Sequence, residues 1–359
     1  MTTLKNINAL PVRTWRRLGV NGETLDIDFP EPGRFDIELP PLPDGVTPAD
    51  ESVFVCAEFK SSLGDELATY SRVHANAGVR LRVAKGRRIG DAYTARYKLT
   101  REAPVLVDDN VIFAEANSEI NVVIVYDGDG GPGGDMTGFH CGLTRVIAEN
   151  CAVVRVALLQ TFGAGTRHFS DFSAVIANGA RVELTSIELG AGAVYAGCHM
   201  KLEGGGSEAR ADTFYLGDGD KKLDFNYVAR HLGRATKSEM NASGALFGAC
   251  SKTYRATIDF IAGAGEAKGA ESENTLLFSE SSRNRSAPVI LCGEENVEGS
   301  HAASVGKIDE GKLYYLRSRG LTEAEAKRLM VSALMESATR GVPEGERERL
   351  RGILSEKIK

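Results

Sequence analysis

The chain has 359 residues, with 43 Lys and Arg against 49 Asp and Glu and a formal charge of −6 at neutral pH, long enough for one large core or an elongated repeat. No segment concentrates basic residues as a nucleic-acid tract would, and no run approaches the roughly 18 apolar residues of a membrane span, so neither nucleic acid nor membrane is an expected partner. Forty glycines beside a single Trp suit many tight turns between short strands and predict an all-β body.

The opening Met-Thr-Thr-Leu-Lys-Asn-Ile lacks the apolar stretch of an export signal, which predicts a cytoplasmic protein. Residues 1–50 hold a short amphipathic piece around Trp15 and Leu18, then prolines 30, 32, 40, 41, 43 and 48. Proline at that density removes backbone donors and forbids a continuous helix, so 1–50 is expected to be an extended lead-in packed on a neighbouring body.

Residues 51–305 read as strand after short strand: Val53 to Phe59, Val79 to Val83, Ile120 to Tyr126, Val153 to Leu159, Val182 to Leu189, Thr253 to Phe260 and Thr275 to Phe278. Glycine clusters such as Gly190-Ala-Gly192, Gly204-Gly205-Gly206 and Gly217-Asp218-Gly219 punctuate them. The apolar centres Leu223, Met240, Ile258 and Leu276 recur every 17 to 18 residues. That interval is too short for a propeller blade or a βαβ unit and is read as one coil of a parallel β-helix, whose apolar inner face only stacked neighbours can cover.

From 306 to 359 the period turns helical. Asp309 is placed to cap a short helix carrying Leu313, Tyr314 and Leu316, and Gly320 to end it in a left-handed cap. Thr322-x-x-Glu325 is a capping box, followed by Ala326, Leu329, Met330, Ala333 and Leu334 at helical spacing. Pro343 opens a last helix with Leu350, Ile353 and Leu354 on its apolar side.

Six cysteines, at 56, 141, 151, 198, 250 and 292, include no Cys-x-x-Cys pair, which supports neither a disulfide framework nor a closed zinc site. Cys56, Cys151 and Cys250 are read as core filler. In His140-Cys141 and Cys198-His199 strand neighbours point to opposite faces, so each pair is read as a packed thiol beside a surface imidazole. Gly128-Asp-Gly130-Gly-Pro-Gly133 matches a dinucleotide fingerprint only formally, because Pro132 and the following glycines continue a hairpin loop where a helix must start. Gly-x-Ser-x-Gly, His-Glu-x-x-His and P-loop motifs are absent from the sequence.

Residues 289–301, Val-Ile-Leu-Cys-Gly-Glu-Glu-Asn-Val-Glu-Gly-Ser-His, place a thiol, carboxylates and an imidazole where a strand ends. Cys292, Glu298 and His301 are the ligand types that iron, zinc or sulfide chemistry uses. A plain strand end with a polar turn is the competing reading.

The run Ser300-His-Ala-Ala-Ser-Val-Gly-Lys-Ile-Asp309, then Leu313-Tyr-Tyr-Leu-Arg-Ser-Arg-Gly320, resembles the signature of the SufB/SufD family, the scaffold subunits of the SUF iron-sulfur cluster assembly system. The resemblance continues through the helix at Thr322 to Met335, and a weaker Gly-rich pattern from about residue 150 agrees. It implies a right-handed parallel β-helix, C-terminal helices that dock a SufC-like ABC ATPase, and a non-enzymatic scaffold carrying a transient iron-sulfur cluster. His301 falls where the family carries a functionally important histidine at a scaffold–scaffold junction. Glu273 falls where SufB has its cluster-assembly cysteine, Ala302 where SufB has a glutamate, and Gly299 where some SufD proteins have a cysteine. These departures make the chain more similar to a compact SufD-like protein. The resemblance implies His301 as iron ligand or proton acceptor, Cys292 as thiolate ligand or sulfide acceptor, and Glu273 and Glu298 as iron-admitting carboxylates. Implied partners are a second copy or a SufB-type paralogue, the ATPase, and a cysteine desulfurase or other sulfur donor. Two alternatives stand beside it: a β-helix carbohydrate-active enzyme using outer-face carboxylates, and a SufD-like partner without a metal site of its own.

Overall fold

A computed structural model describes residues 2–14, 16–35, 37, 39–50, 54, 57–307 and 310–358. The body is a parallel β-solenoid of about eight coils, each contributing one strand to each of two facing sheets. One sheet runs, from its C-terminal end, through β18 (Arg283–Cys292), β16 (Ser251–Phe260), β14 (Lys222–His231), β12 (Ala193–Leu202), β10 (Thr166–Ile176), β8 (Gly138–Ala148), β6 (Val105–Ala114), β4 (Arg80–Val83) and the short β3 (Val46–Thr47). The other runs through β19 (Glu298–Lys307), β17 (Lys268–Leu277), β15 (Lys237–Leu246), β13 (Glu208–Gly217), β11 (Arg181–Glu188), β9 (Val153–Gln160), β7 (Glu119–Gly128) and β5 (Tyr93–Leu99).

Ala193, Lys222 and Ser251 stack in register, 29 residues apart. The expected coil length of 17 to 18 residues is therefore corrected. Leu223, Met240, Ile258 and Leu276 sit on β14, β15, β16 and β17, one centre per strand in alternate sheets, so the interval marks a step from one strand to the next and not a full coil. Period-2 alternation sends every second side chain into the lumen, where aliphatic, aromatic and small residues form the main core.

One corner of the solenoid repeats from coil to coil. Asn117, Cys151, Gly179, Gly206, Ala235 and Glu266 all have left-handed backbone, with φ between 54° and 67°. Each donates its amide to a carbonyl of the next coil: Asn150, Asn178, Gly205, Arg234, Gly265 and Asn296 in turn, at 2.6–3.0 Å. Cys151 is thereby an exposed corner residue and not core filler. Cys250 is buried, and Cys56 lies outside the described residues.

The expected strand Val53 to Phe59 lies partly outside the described residues, and 57–60 form no strand. Next along the chain is α1 (Asp65–His74), a helix that the sequence did not announce because Gly64 supplies no side-chain cap. Leu67 of α1 packs with Phe139, Cys141 and Phe169 on the outer face of the nine-stranded sheet. The N-terminal stretch contains an antiparallel pair, β1 (Thr2–Ile7) and β2 (Glu23–Ile27), that joins the same apolar cluster. The Gly128–Gly133 loop crosses between β7 and β8, one in each sheet, so it is a coil connection instead of a hairpin, and only a three-residue 3-10 turn forms there.

Beyond β19 come α2 (Glu310–Ser318), α3 (Glu323–Ala338) and α4 (Glu344–Lys357). The Asp309 cap lies outside the described residues. Gly320 has φ +96°, as a left-handed cap requires. The capping box forms as read, with Thr322 and Glu325 exchanging amide bonds at 2.7 and 3.2 Å. The buried stripe of α3 is rotated from the expected one: Val331, Met335 and Ala338 join Ala326 inside, while Leu329 is 51% exposed. Val331, Met335, Leu350 and Leu354 pack on Val125, Leu159, Ile187 and Phe214 of the eight-stranded sheet.

Candidate functional site

The last coils depart from the apolar rule of the lumen. On β17 the inward positions include Glu271 and Glu273, and the facing strand β16 brings Lys252 to them across the interior. All three are buried, at 5%, 2% and 1% exposure. Lys252 donates to Glu273, forming a close ion pair. Thr275 also donates to Glu273 at 3.0 Å and shares a 2.6 Å hydrogen bond with the Tyr215 hydroxyl. The ammonium lies 5.3 and 5.5 Å from the ring centres of Tyr254 and Tyr215, where the aromatic faces attract a cation. Two oxygens stay without hydrogen bonds: Glu271 Oε2 and Glu273 Oε2.

Burial sets the electrostatics. It brings the Lys252 ammonium down to about 8, with Glu273 opposing the change. It lifts the Glu271 carboxyl to about 7, reinforced by the neighbouring Glu273 and offset by Lys252. A carboxyl near neutrality can exchange its proton at physiological pH.

His301 belongs to the final strand. β19 pairs in register with β17, which places His301 directly over Glu271 and Ala303 over Glu273. Both His301 and Glu271 fall on the inward row of their strands, on the same side as Gly299, where an added Cβ would meet Ile290 and Phe260 from within. His301 is nevertheless exposed, because the eight-stranded sheet ends at β19 and leaves the lumen open there. Cys292 closes β18 opposite Phe260, as an exposed free thiol. Glu298 opens β19, where Lys268 donates to it at 2.8 Å across exposed surface.

The sequence-derived residues thus occupy two levels. Cys292, Glu298 and His301 lie on the open final coil, and Glu273 lies one coil deeper in a buried ion pair. Among the described residues of one copy, no three His, Cys, Asp or Glu side chains are gathered closely enough to hold a metal ion. Glu271 and Lys252 were absent from the sequence-derived set. The signal for Glu271 was available: Glu-x-Glu in a strand puts both carboxylates on one face. Lys252 had none, because its pairing depends on coil geometry.

The adjacent Cys/His pairs need correction. His140 is fully buried in the lumen and Cys141 is buried beneath α1; Cys198 is buried and His199 is only 6% exposed. Neither imidazole is a surface group. The Nδ1 atoms of His140 and His168 meet at 2.7 Å, His140 Nε2 meets Asp108 Oδ1 at 2.5 Å, and His168 Nε2 lies 3.6 Å from Glu188. Tyr126 donates to Asp108, and Gln160 and Ser186 donate to Glu188. Burial holds His168 well below the usual imidazole range and pushes the Glu188 carboxyl up to about 8, so burial favours the neutral form of each of these two groups.

Comparison with known proteins gives the same outline. Residues 97–334 match the model described as the SufBD core domain of SUF system FeS cluster assembly. The chain is 25% identical over 286 residues to the iron-sulfur cluster assembly protein SufD of Bacillus subtilis, covering 79% of this chain and 65% of that protein. It is 26% identical over 232 residues to an iron-sulfur cluster assembly SufBD family protein of Pyrococcus horikoshii, covering 65% of this chain and 51% of that one. It is 24% identical over 251 residues to a SufBD family protein of Mycobacterium leprae, covering 69% of this chain and 28% of that one. The matched region spans less than two thirds of the length of each of these relatives.

Proposed function

The chain belongs to the SufBD family of SUF-system iron-sulfur cluster assembly proteins, and from that premise we propose that it is a non-enzymatic scaffold which meets a second scaffold subunit at β19 and holds a nascent cluster at that seam. The observation that carries this reading is the unfinished end of the solenoid. β19 is exposed along almost its whole length, no described strand pairs beyond it, and it bears His301 on the row that faces the lumen. An edge strand of this kind offers the outward row of its backbone donors and acceptors to a partner. Two copies about a two-fold axis present every residue twice, so His301, Cys292 and Glu298 of each would supply the ligands that a single copy does not gather.

In this reading the cluster is cargo. His301 serves as iron ligand or proton acceptor, Cys292 as thiolate ligand, and Glu298 admits iron at the rim. Glu273 and Glu271 form the carboxylate floor one coil below, with Lys252 balancing one of their charges. A SufC-like ATPase docks on the C-terminal helices, where Tyr314, Tyr315 and Leu329 stand 76%, 55% and 51% exposed; apolar groups left that open are what a docking partner covers. No helix of the described residues is long and apolar enough to cross a membrane, and we place the assembly in the cytoplasm.

The test is His301→Ala. Because the imidazole is exposed, the variant is expected to melt as the parent does, yet to lose the visible absorption that builds up when the parent is reconstituted anaerobically with ferrous iron and sulfide. Normal cluster build-up by the variant would overturn the assignment. The mass of the complex formed on co-expression with a SufC-like ATPase separates self-pairing from pairing with a SufB-type paralogue.

A further inference from the structure

The last two coils gather buried side-chain oxygens that have no hydrogen-bond partner among the described residues: the Tyr254 hydroxyl, Glu271 Oε2, Glu273 Oε2, Asn284 Oδ1 and the Ser286 hydroxyl. Register brings them to one chamber. On β16 and β18, Lys252 pairs with Asn284 and Tyr254 with Ser286. Tyr254 belongs to the main core, so these positions all lie on the inward rows of their strands. Tyr254 is 1% exposed. Burial holds its hydroxyl well above the usual phenol range, and the charge of Glu271 adds to that effect, which sets the two groups near each other across the interior.

The two carboxylates differ in what already holds them. Glu273 accepts from the Lys252 ammonium and the Thr275 hydroxyl, and drawing it to another cation would strand that ammonium in the interior. Glu271, 5% exposed, feels the charges of Glu273 and Lys252 but makes no hydrogen bond or ion pair among the described residues. His301 stands directly above it in register. Adjacent strands lie about 4.8 Å apart, so an imidazole and a carboxylate on one inward row can reach the same ion. Water alone would satisfy unmatched oxygens, yet it would not balance the second carboxylate, since Lys252 pairs with only one of the two. Oxygen donors beside a single imidazole suit a divalent ion of the first transition row.

We propose that the mouth of the lumen binds one divalent iron ion through Glu271 and His301 of a single copy, with Tyr254, Asn284 and Ser286 holding its bound waters, while Glu273 stays with Lys252. Water completes the shell, because no third His, Cys, Asp or Glu among the described residues is gathered closely enough to join the pair. That the ion is iron rests on the seam reading; that Glu271 and not Glu273 receives it rests on the lumen alone.

Titration of the full chain with cobalt(II), whose visible bands report its ligands in place of ferrous iron, tests the site. One equivalent is expected to bind. Glu271→Gln keeps the size of a side chain that makes no hydrogen bond and should preserve the circular dichroism spectrum. It should weaken cobalt at least about tenfold, since loss of even an outer partner of a metal ligand costs that much, and His301→Ala should do the same. The double variant Lys252→Met, Glu273→Gln removes the locked pair together and should weaken cobalt by less than Glu271→Gln does. No cobalt binding at millimolar concentration, normal binding by Glu271→Gln, or a loss in the double variant as large as in Glu271→Gln would overturn the proposal. Cluster build-up lost in His301→Ala, with cobalt binding kept in Glu271→Gln, would leave the seam standing and overturn this site. Build-up kept in His301→Ala, with cobalt binding lost in Glu271→Gln, would overturn the seam and leave this site standing.

Discussion

Two polar clusters share one lumen, and they differ in what closes them. Around His140 and His168, neighbouring coils cover the group on both sides, every ring nitrogen has a partner, and burial favours the neutral forms of His168 and Glu188. Around Glu271 and Glu273 the next coil is the last, two carboxylate oxygens stay unmatched, and an exposed imidazole stands directly above. A satisfied buried network stiffens a core, whereas an unsatisfied one beside an opening can exchange protons and accept ligands. Position along the solenoid decides between those outcomes, since the residue types are much the same.

The contrast can be broken at its strongest link first. Lys252→Met strands Glu273 as an unpaired buried charge and is expected to cost about 3–5 kcal/mol of stability. Adding Glu273→Gln should recover much of that loss in chemical denaturation, and failure to recover it would mean the pair is not the unit of stability.

The sealed cluster responds to pH instead. Glu188 carries a carboxyl raised from 4.5 to about 8, so the folded protein keeps a proton that the unfolded chain releases between those values. Its stabilising contribution is complete below about 4.5 and is lost as pH rises through 8, by up to about 1.4 kcal/mol per pH unit. Glu188→Gln, which preserves a hydrogen-bonding oxygen, should flatten that slope when denaturation midpoints are compared at pH 5 and pH 8. The smallest effect belongs to the rim. Glu298→Gln removes an exposed pair with Lys268, and because water screens such pairs the melting temperature should not move measurably; a clear drop would show that β19 leans on it.

Much of the architecture was legible because it is written locally. Strand alternation, the switch to helical spacing after residue 306, Gly320 and the Thr322/Glu325 box each depend on residues within a few positions of one another, and each formed. The coil length was misread because apolar centres recur once per strand while the chain needs two strands to return to its starting sheet. α1 escaped notice because its start lacks a capping side chain. Of the site, His301, Cys292 and Glu298 could be picked out by residue type near a strand end. The ion pair between Lys252 and Glu273 could not, since nothing in a sequence says which side chains face each other across a lumen. The burial of His140 and His199 was hidden for the same reason: general habits of imidazole exposure lose to a fold that covers both faces of its sheets.

The repeating corner has an evolutionary consequence. Since six successive corners each bend at a left-handed residue and hand its amide to the following coil in the same way, a coil is a self-similar module that can be gained or lost whole. A single-residue insertion inside a strand, by contrast, would turn the strand inside out and drive charges such as Arg155 or Glu183 into the lumen. Descendants of this architecture should therefore vary in length by steps of roughly 29 residues, keeping the open terminal coil intact while the barrel behind it grows or shrinks.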